Sequence, residues 1–152
     1  MTPILRHGRP EDRGELTRMR QALWSDSTAE EAEEVLGRAP AQYLVVVAED
    51  PGGGLCGFAE AGLRDYAEGC ASSPVAYLEG IWVDPEHRRS RVGAALVEWV
   101  ESWARKLGLS EMASDCLLEN AASLGFHLST GFQEVERVIC FRRRVSRPEG
   151  DG

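Results

Sequence analysis

The 152-residue chain lacks the features of a membrane protein, a disulfide scaffold or a nucleic-acid binder. No apolar run approaches the length of a membrane-spanning helix, and the N-terminus is polar by Arg6. This excludes a membrane span and a secretory signal and points to a cytoplasmic protein. The four cysteines, Cys56, Cys70, Cys116 and Cys140, fall in no Cys-x-x-Cys or Cys/His ligand spacing. Reduced, partly buried thiols are expected rather than a disulfide framework or a zinc site, and no metal is assigned. Basic charge is also scarce: 17 Lys and Arg stand against 25 Asp and Glu, for a formal net charge of -8. Neutralising phosphates takes a basic face, so nucleic acid is excluded and a cationic partner fits better. There is no internal repeat and no low-complexity tract, and an apolar fraction of 43% is enough for one core without covalent staples. A single domain over residues 1–146 and a disordered tail over 147–152 are expected.

Hydrophobic periodicity and turn residues divide the chain. Ile4 to Arg6 opens a sheet. Pro10, Glu11 and Asp12 start a helix with the apolar face Leu16, Met19 and Leu23, which Trp24 ends. Ser27 with Glu30 three residues on reads as the capping box of a second helix finishing near Gly37. Tyr43 to Glu49 and Leu55 to about Arg64 form a hairpin across Pro51-Gly52-Gly53-Gly54, and Ala76 to Val83 returns as the central strand. Val92, Leu96, Trp99, Val100, Trp103 and Leu107 recur at helical spacing before Gly108. Met112 to Asp115 reads as a short strand, Glu119 to Thr130 as a helix, and Phe132 to Val145 as one or two final strands. The order is that of an α+β fold.

The chemistry concentrates where the central strand stops. Asp84-Pro85 closes it, the cationic loop Arg88-Arg89-Ser90-Arg91-Val92-Gly93 follows, and a helix begins at once. Unpaired N–H groups of the loop and first helical turn, with the positive end of the helix dipole, make an anion site fit for a pyrophosphate. Glu79 interrupts an otherwise apolar strand, which costs several kcal/mol unless the carboxylate is paired or lies at an open cleft. A sheet-edge glutamate paired with an arginine and a functional acid are equally good readings of it. Asp115 closes the next strand and Glu136 lies on the C-terminal segment, so three acids from separate elements could surround one polycation. Asn120, Ser123 and His127 fall at i, i+3 and i+7 along one helix face.

The strand, loop and helix resemble motif A of the GNAT superfamily of acyl-CoA-dependent N-acetyltransferases, with Arg88 and Gly93 at its two ends and Arg91 where the middle glycine is expected. Further matches narrow the resemblance: Leu23-Trp24, Asp65-Tyr66, Gly69-Cys70, Ser72-Ser73-Pro74-Val75, Leu78-Glu79-Gly80-Ile81, Met112-Ala113-Ser114-Asp115, Glu119-Asn120, His127, Gly131-Phe132 and Glu134 to Ile139. Covering nearly the whole chain, they are similar to the chromosomal, dimeric subgroup of aminoglycoside 6′-N-acetyltransferases. That resemblance implies a mixed central β-sheet flanked by helices, acetyl-CoA as co-substrate, an aminoglycoside as acceptor and a homodimer. It places Trp24, Tyr66, Glu79, Asp115 and Glu136 against the drug. It places the Ile81, Trp82 and Val83 strand end, the loop residues Arg88, Arg89, Ser90, Arg91, Val92 and Gly93, and Asn120 and His127 against acetyl-CoA. Asp115 is the first candidate base and Glu79 the second, while His127 stands where the superfamily commonly has a tyrosine acid. A core plug is the plain alternative for Trp24. Arg91 either obstructs the loop or, with ordinary negative φ, adds a phosphate contact. The competing functions are a GNAT enzyme acting on another amine, such as a polyamine or protein N-terminus, and a non-catalytic acyl-CoA-binding module.

Overall fold

The valine-rich strand Tyr43–Glu49 (β2) explains the layering. Leu44, Val46 and Ala48 turn to one face of the sheet and Val45 and Val47 to the other, and all five are buried. A strand apolar on both sides needs a helix layer on each. The computed structural model, which describes residues 2–150, supplies both. β1 (Ile4–His7) is followed by a 3-10 turn at Pro10–Asp12, α1 (Arg13–Leu23) and α2 (Ala29–Leu36). Then come β2, β3 (Leu55–Arg64), β4 (Val75–Val83), α3 (Val92–Lys106), β5 (Met112–Ser114) and α4 (Ala121–Ser129). The sheet order is β1-β2-β3-β4-β5, antiparallel throughout except that β5 runs parallel to β4.

α3 lays Val92, Leu96, Val100 and Trp103 on Leu44, Val46, Ala59 and Leu78. On the other face α1 and α2 press Leu16, Met19, Ala32 and Val35 against Val45, Val47 and Phe58. Within this second layer lies a charge that the sequence pattern did not reveal. Glu60, on β3, is fully buried; it pairs with Arg20 of α1 and accepts a 2.6 Å hydrogen bond from the Tyr43 hydroxyl. Burial and the neighbouring Glu60 carboxylate push the Tyr43 ionisation well above its usual value. Arg20 also donates from Nε to Ser27 Oγ at 3.0 Å.

That use of Ser27 corrects the expected capping box. Thr28 is the N-cap of α2: its hydroxyl accepts from the Glu31 N–H at 3.2 Å, and Glu31 accepts from the Thr28 N–H at 3.3 Å. Ser27 is spent on Arg20, one residue earlier. A larger departure is at the C-terminus, where Phe132 to Val145 forms no strand. β5 has three residues, and among the described residues its pairing is with β4 alone. The arm has strand composition but makes no ladder within this chain, and Val138, Ile139, Phe141 and Val145 are 50–94% exposed. Arg147–Gly150 is irregular, and the last two residues of the expected tail lie outside the described residues.

Because Glu60 is buried, deleting its cation alone leaves an unpaired charge in the core. Arg20→Met is expected to cost about 3–5 kcal/mol in urea denaturation, and Arg20→Met/Glu60→Gln to recover most of that loss.

Candidate functional site

A bulge creates the opening. The β3–β4 register steps from Ala61↔Leu78 to Glu60↔Gly80, which leaves Glu79 as the extra residue on β4. On the other side of β4 the parallel ladder with β5 ends at Leu78↔Ser114, although β4 runs on to Val83. Beyond that point Gly80, Ile81, Trp82 and Val83 have a sheet neighbour on the β3 side only. Their free backbone edge faces a gap where an extended ligand can bond as a strand would. Ile81 and Val83 pack toward the α3 core. Trp82 points the opposite way, against the α1 layer, and its indole N–H donates to Asp84 at 3.0 Å.

The loop after β4 has the backbone pattern of an anion nest. Arg89 and Arg91 are left-handed, with φ of 71° and 66°, on either side of Ser90. Arg91 is the N-cap of α3 without a side-chain cap, and the first helical bond described is Ala95 N–H to Arg91 C=O at 3.0 Å. The first-turn amides of Val92, Gly93 and Ala94 therefore project toward the loop. The reading of Arg91 with negative φ is corrected: the loop keeps the conformation that favours glycine and places an arginine in it. Gly93 is needed for another reason, since a Cβ there would lie 2.7 Å from Phe126 Cε2 of α4. Arg88 folds back over the Trp82 ring at 4.6 Å and bonds the Val83 carbonyl at 2.9 Å, so it braces the strand end.

On the α1 side Trp24, C-cap of α1, lies against Gly80 so closely that a Cβ at position 80 would collide with its ring. Trp24 also meets Phe58 edge-on and carries the Arg20 guanidinium at 4.9 Å. It is both a core contact and a wall beside the bulge. Glu79 is held bidentately by one guanidinium edge of Arg64, Nε donating to Oε1 at 3.0 Å and Nη2 to Oε2 at 2.8 Å. Arg64 in turn stacks 3.5 Å above the Tyr77 ring, and the Tyr77 hydroxyl donates to Asp115 Oδ2. Burial, the bond to Asp115 and the charge of Asp115 all raise the Tyr77 ionisation. Arg64 and Tyr77 thus join the two candidate acids. The sequence reading missed both, although Tyr77 stands two residues before Glu79 on the same strand.

Asp115 follows β5 instead of closing it, and it lines a cavity of about 750 Å³ together with Tyr77, His127 and Glu136. Glu79 opens into a different hollow beside Arg38, Tyr43 and Arg64. Tyr66, 69% exposed in the loop after β3, lines neither. Asn120 caps α4 by accepting from the Ser123 N–H at 3.0 Å. His127 is clamped from both sides: Nδ1 lies 2.7 Å from the Ser123 carbonyl, and Nε2 lies 2.9 Å from Ser114 Oγ, which also bonds the Leu78 carbonyl at 3.1 Å. Ser114, at the last rung before the strands part, was not singled out in the sequence.

Comparison with known proteins agrees with this geometry. Residues 11–132 match the model of the acetyltransferase (GNAT) family. The chain is 44% identical over 147 residues to an aminoglycoside N(6′)-acetyltransferase type 1 of Klebsiella aerogenes, covering 93% of this chain and 97% of that one. It is 39% identical to the Stenotrophomonas maltophilia protein of the same name, covering 92% of each. Among solved structures it superposes on the 6′-N-acetyltransferase AAC(6′)-Ih of Acinetobacter baumannii with a TM-score of 0.89, 32% identity and coverage of 95% and 99%. AAC(6′)-Iy bound to the bisubstrate analogue CoA-S-monomethyl-acetylneamine gives a TM-score of 0.87 at 34% identity, covering 95% and 100%.

A left-handed arginine costs about 1–2 kcal/mol, of which glycine would return part to unfolded-chain entropy. Arg91→Gly is therefore expected to stabilise the protein by about 0.5–1 kcal/mol in denaturant titration. A loss of stability would show that the Arg91 side chain contributes more than its backbone costs.

Proposed function

The chain belongs to the GNAT acetyltransferase family and, within it, to the type 1 aminoglycoside N(6′)-acetyltransferases, and on that premise we propose that it transfers acetyl from acetyl-CoA to the 6′-amine of aminoglycosides. The observation that carries this reading is the gap between β4 and β5, with an anion nest at one end and the linked carboxylates Glu79 and Asp115 at the other.

The donor lies along the free edge of β4. The backbone of Ile81, Trp82 and Val83 bonds the pantetheine arm, Asn120 and His127 bound it from α4, and the pyrophosphate rests on the 88–93 loop. Arg88 acts there through the strand end, while Arg89, Ser90, Arg91, Val92 and Gly93 present amides and positive charge. The acceptor is a polycation, recognised by Glu79, Asp115 and Glu136 through charge-assisted hydrogen bonds and by Trp24 and Tyr66 through flat apolar faces. Its 6′-amine must be neutral to attack. Asp115 takes the proton, since Arg64 already holds both Glu79 oxygens, whereas Tyr77 holds only Oδ2 of Asp115 and leaves Oδ1 open. A backbone N–H near Ile81, past the bulge, stabilises the oxyanion of the tetrahedral state. The departing thiolate is protonated by His127, by solvent or by the new ammonium, and no acyl-enzyme is required.

The domain spans residues 1–146 and works in the cytoplasm as a homodimer. No described helix is long and apolar enough to cross a membrane. Two features support the dimer: the exposed apolar arm from Val135 to Val145 and the short β5, whose edge away from β4 has no strand beside it among the described residues.

Three measurements test this reading. Incubation with acetyl-CoA and kanamycin or tobramycin should give a mono-acetylated product modified at the 6′-nitrogen. A 3-N or 2′-N product overturns the regiochemistry, turnover restricted to polyamines or peptide N-termini favours the other acceptor, and binding without turnover favours a non-catalytic module. Asp115→Asn should lower kcat by about 100-fold or more with a smaller change in KM; a raised KM at unchanged kcat makes Asp115 a cation anchor instead. Light scattering at micromolar concentration should return twice the 16.7 kDa chain mass, and truncation before Val135 should return a monomer.

A further inference from the structure

Away from the cleft, three elements distant in sequence bring together a donor set that the acetyl-transfer chemistry does not use. Asp50 follows β2 at the hairpin turn, Cys56 is on β3, and His87 ends the 3-10 turn Pro85–His87 just before the 88–93 loop. One donor atom from each lies within 4.8 Å of the other two. His87 Nε2 is 2.9 Å from Asp50 Oδ2. We infer that Asp50, Cys56 and His87 form a binding site for a transition-metal ion of the zinc type, with solvent in the fourth position.

The donors and their surroundings support this. A thiolate, an imidazole and a carboxylate form a mixed set suited to zinc or cobalt, whereas magnesium and calcium take oxygen ligands. With bonds of about 2.0–2.3 Å in tetrahedral geometry, ligand atoms stand about 3.3–3.8 Å apart, so on binding an ion the His87–Asp50 pair opens from 2.9 Å while the wider spacings within the 4.8 Å cluster close. A hydrogen bond accounts for Asp50 and His87 but gives the thiol no part. Cys56 Sγ is buried, with only a 3.6 Å bond to the Ala48 carbonyl. The acids Asp50, Asp84 and Glu86 surround the thiol with negative charge, which favours a divalent cation. Asp84 is not a ligand, since Arg18 and the Trp82 indole hold its oxygens. On binding, the metal–sulfur bond replaces S–H and the Cys56 proton goes to solvent, while neutral His87 donates a ring lone pair. The ion would pin the turn end of the β2–β3 hairpin to the turn that leads into the nest.

The site stands independently of the proposed acetyl transfer, and its test does not use activity. Cobalt(II) titrated into the full-length, chelator-treated protein should bind one ion per chain with a sulfur-to-cobalt charge-transfer band, release a proton, and be displaced by zinc. Replacing the other three thiols (Cys70→Ala, Cys116→Ser, Cys140→Ser) should leave the band intact, and Cys56→Ser should abolish it. Asp50→Asn and His87→Gln, both at partly exposed positions and therefore foldable even if Cys56→Ser is not, should each weaken binding by at least about tenfold. The absence of a band, its loss in the triple-thiol variant, or unchanged affinity in Asp50→Asn and His87→Gln would each overturn the proposal.

Discussion

Everything at the cleft depends on the separation of two parallel strands. β4 and β5 share three rungs and then diverge, so the carboxyl half of β4 keeps its backbone groups exposed on one side. Backbone polar groups buried without partners cost as much as lost hydrogen bonds, so an edge in the middle of a sheet persists only if water or a ligand serves it. Here an extended amide-bearing chain can take the place of the missing strand. The bulge at Glu79 sits next to the last rung, and its extra residue places a carboxylate on the β3 side of β4, in the hollow beside Arg38, Tyr43 and Arg64.

The charged side chains around that opening are arranged in series. Arg64 neutralises Glu79 and covers Tyr77, and Tyr77 holds one oxygen of Asp115, so two carboxylates from different strands are connected by a cation and a phenol. This chain of contacts distinguishes the two acids: Glu79 is engaged at both oxygens, while Asp115 is bonded at Oδ2 alone among the described residues. Beneath it, the Arg20–Glu60–Tyr43 cluster ties α1 to β2 and β3 and so fixes where α1 ends, which is where Trp24 stands.

Much of this was legible in the sequence because local signals agreed with the global arrangement. The valine-rich run of β2, the period of α3 and the Asp84-Pro85 stop after β4 each identify an element within a residue or two. Other features could not be read because they depend on partners distant in sequence. Ser27 and Thr28 are both sound caps by type, and only the presence of Arg20 decides between them. The segment from Phe132 to Val145 has the composition of a strand, yet composition does not supply an edge to pair with. Asp50, Cys56 and His87 lie 6 and 31 residues apart, so no ligand-spacing rule would connect them. Glu60 could be recognised as polar in an apolar strand, but nothing local says that its cation comes from a helix 40 residues earlier.

The contact between Trp24 and Gly80 also bears on how such an enzyme can drift. Position 80 has no room for any side chain, so a residue change there cannot be silent in its effect on the Trp24 wall. The smallest substitution, to alanine, must displace the indole, and the indole is held from behind by Phe58 and Arg20. A position with no side chain thus governs where the indole stands beside the bulge. Change at this wall can come through the partners of Trp24, at Phe58 and Arg20, while position 80 itself has room for glycine alone.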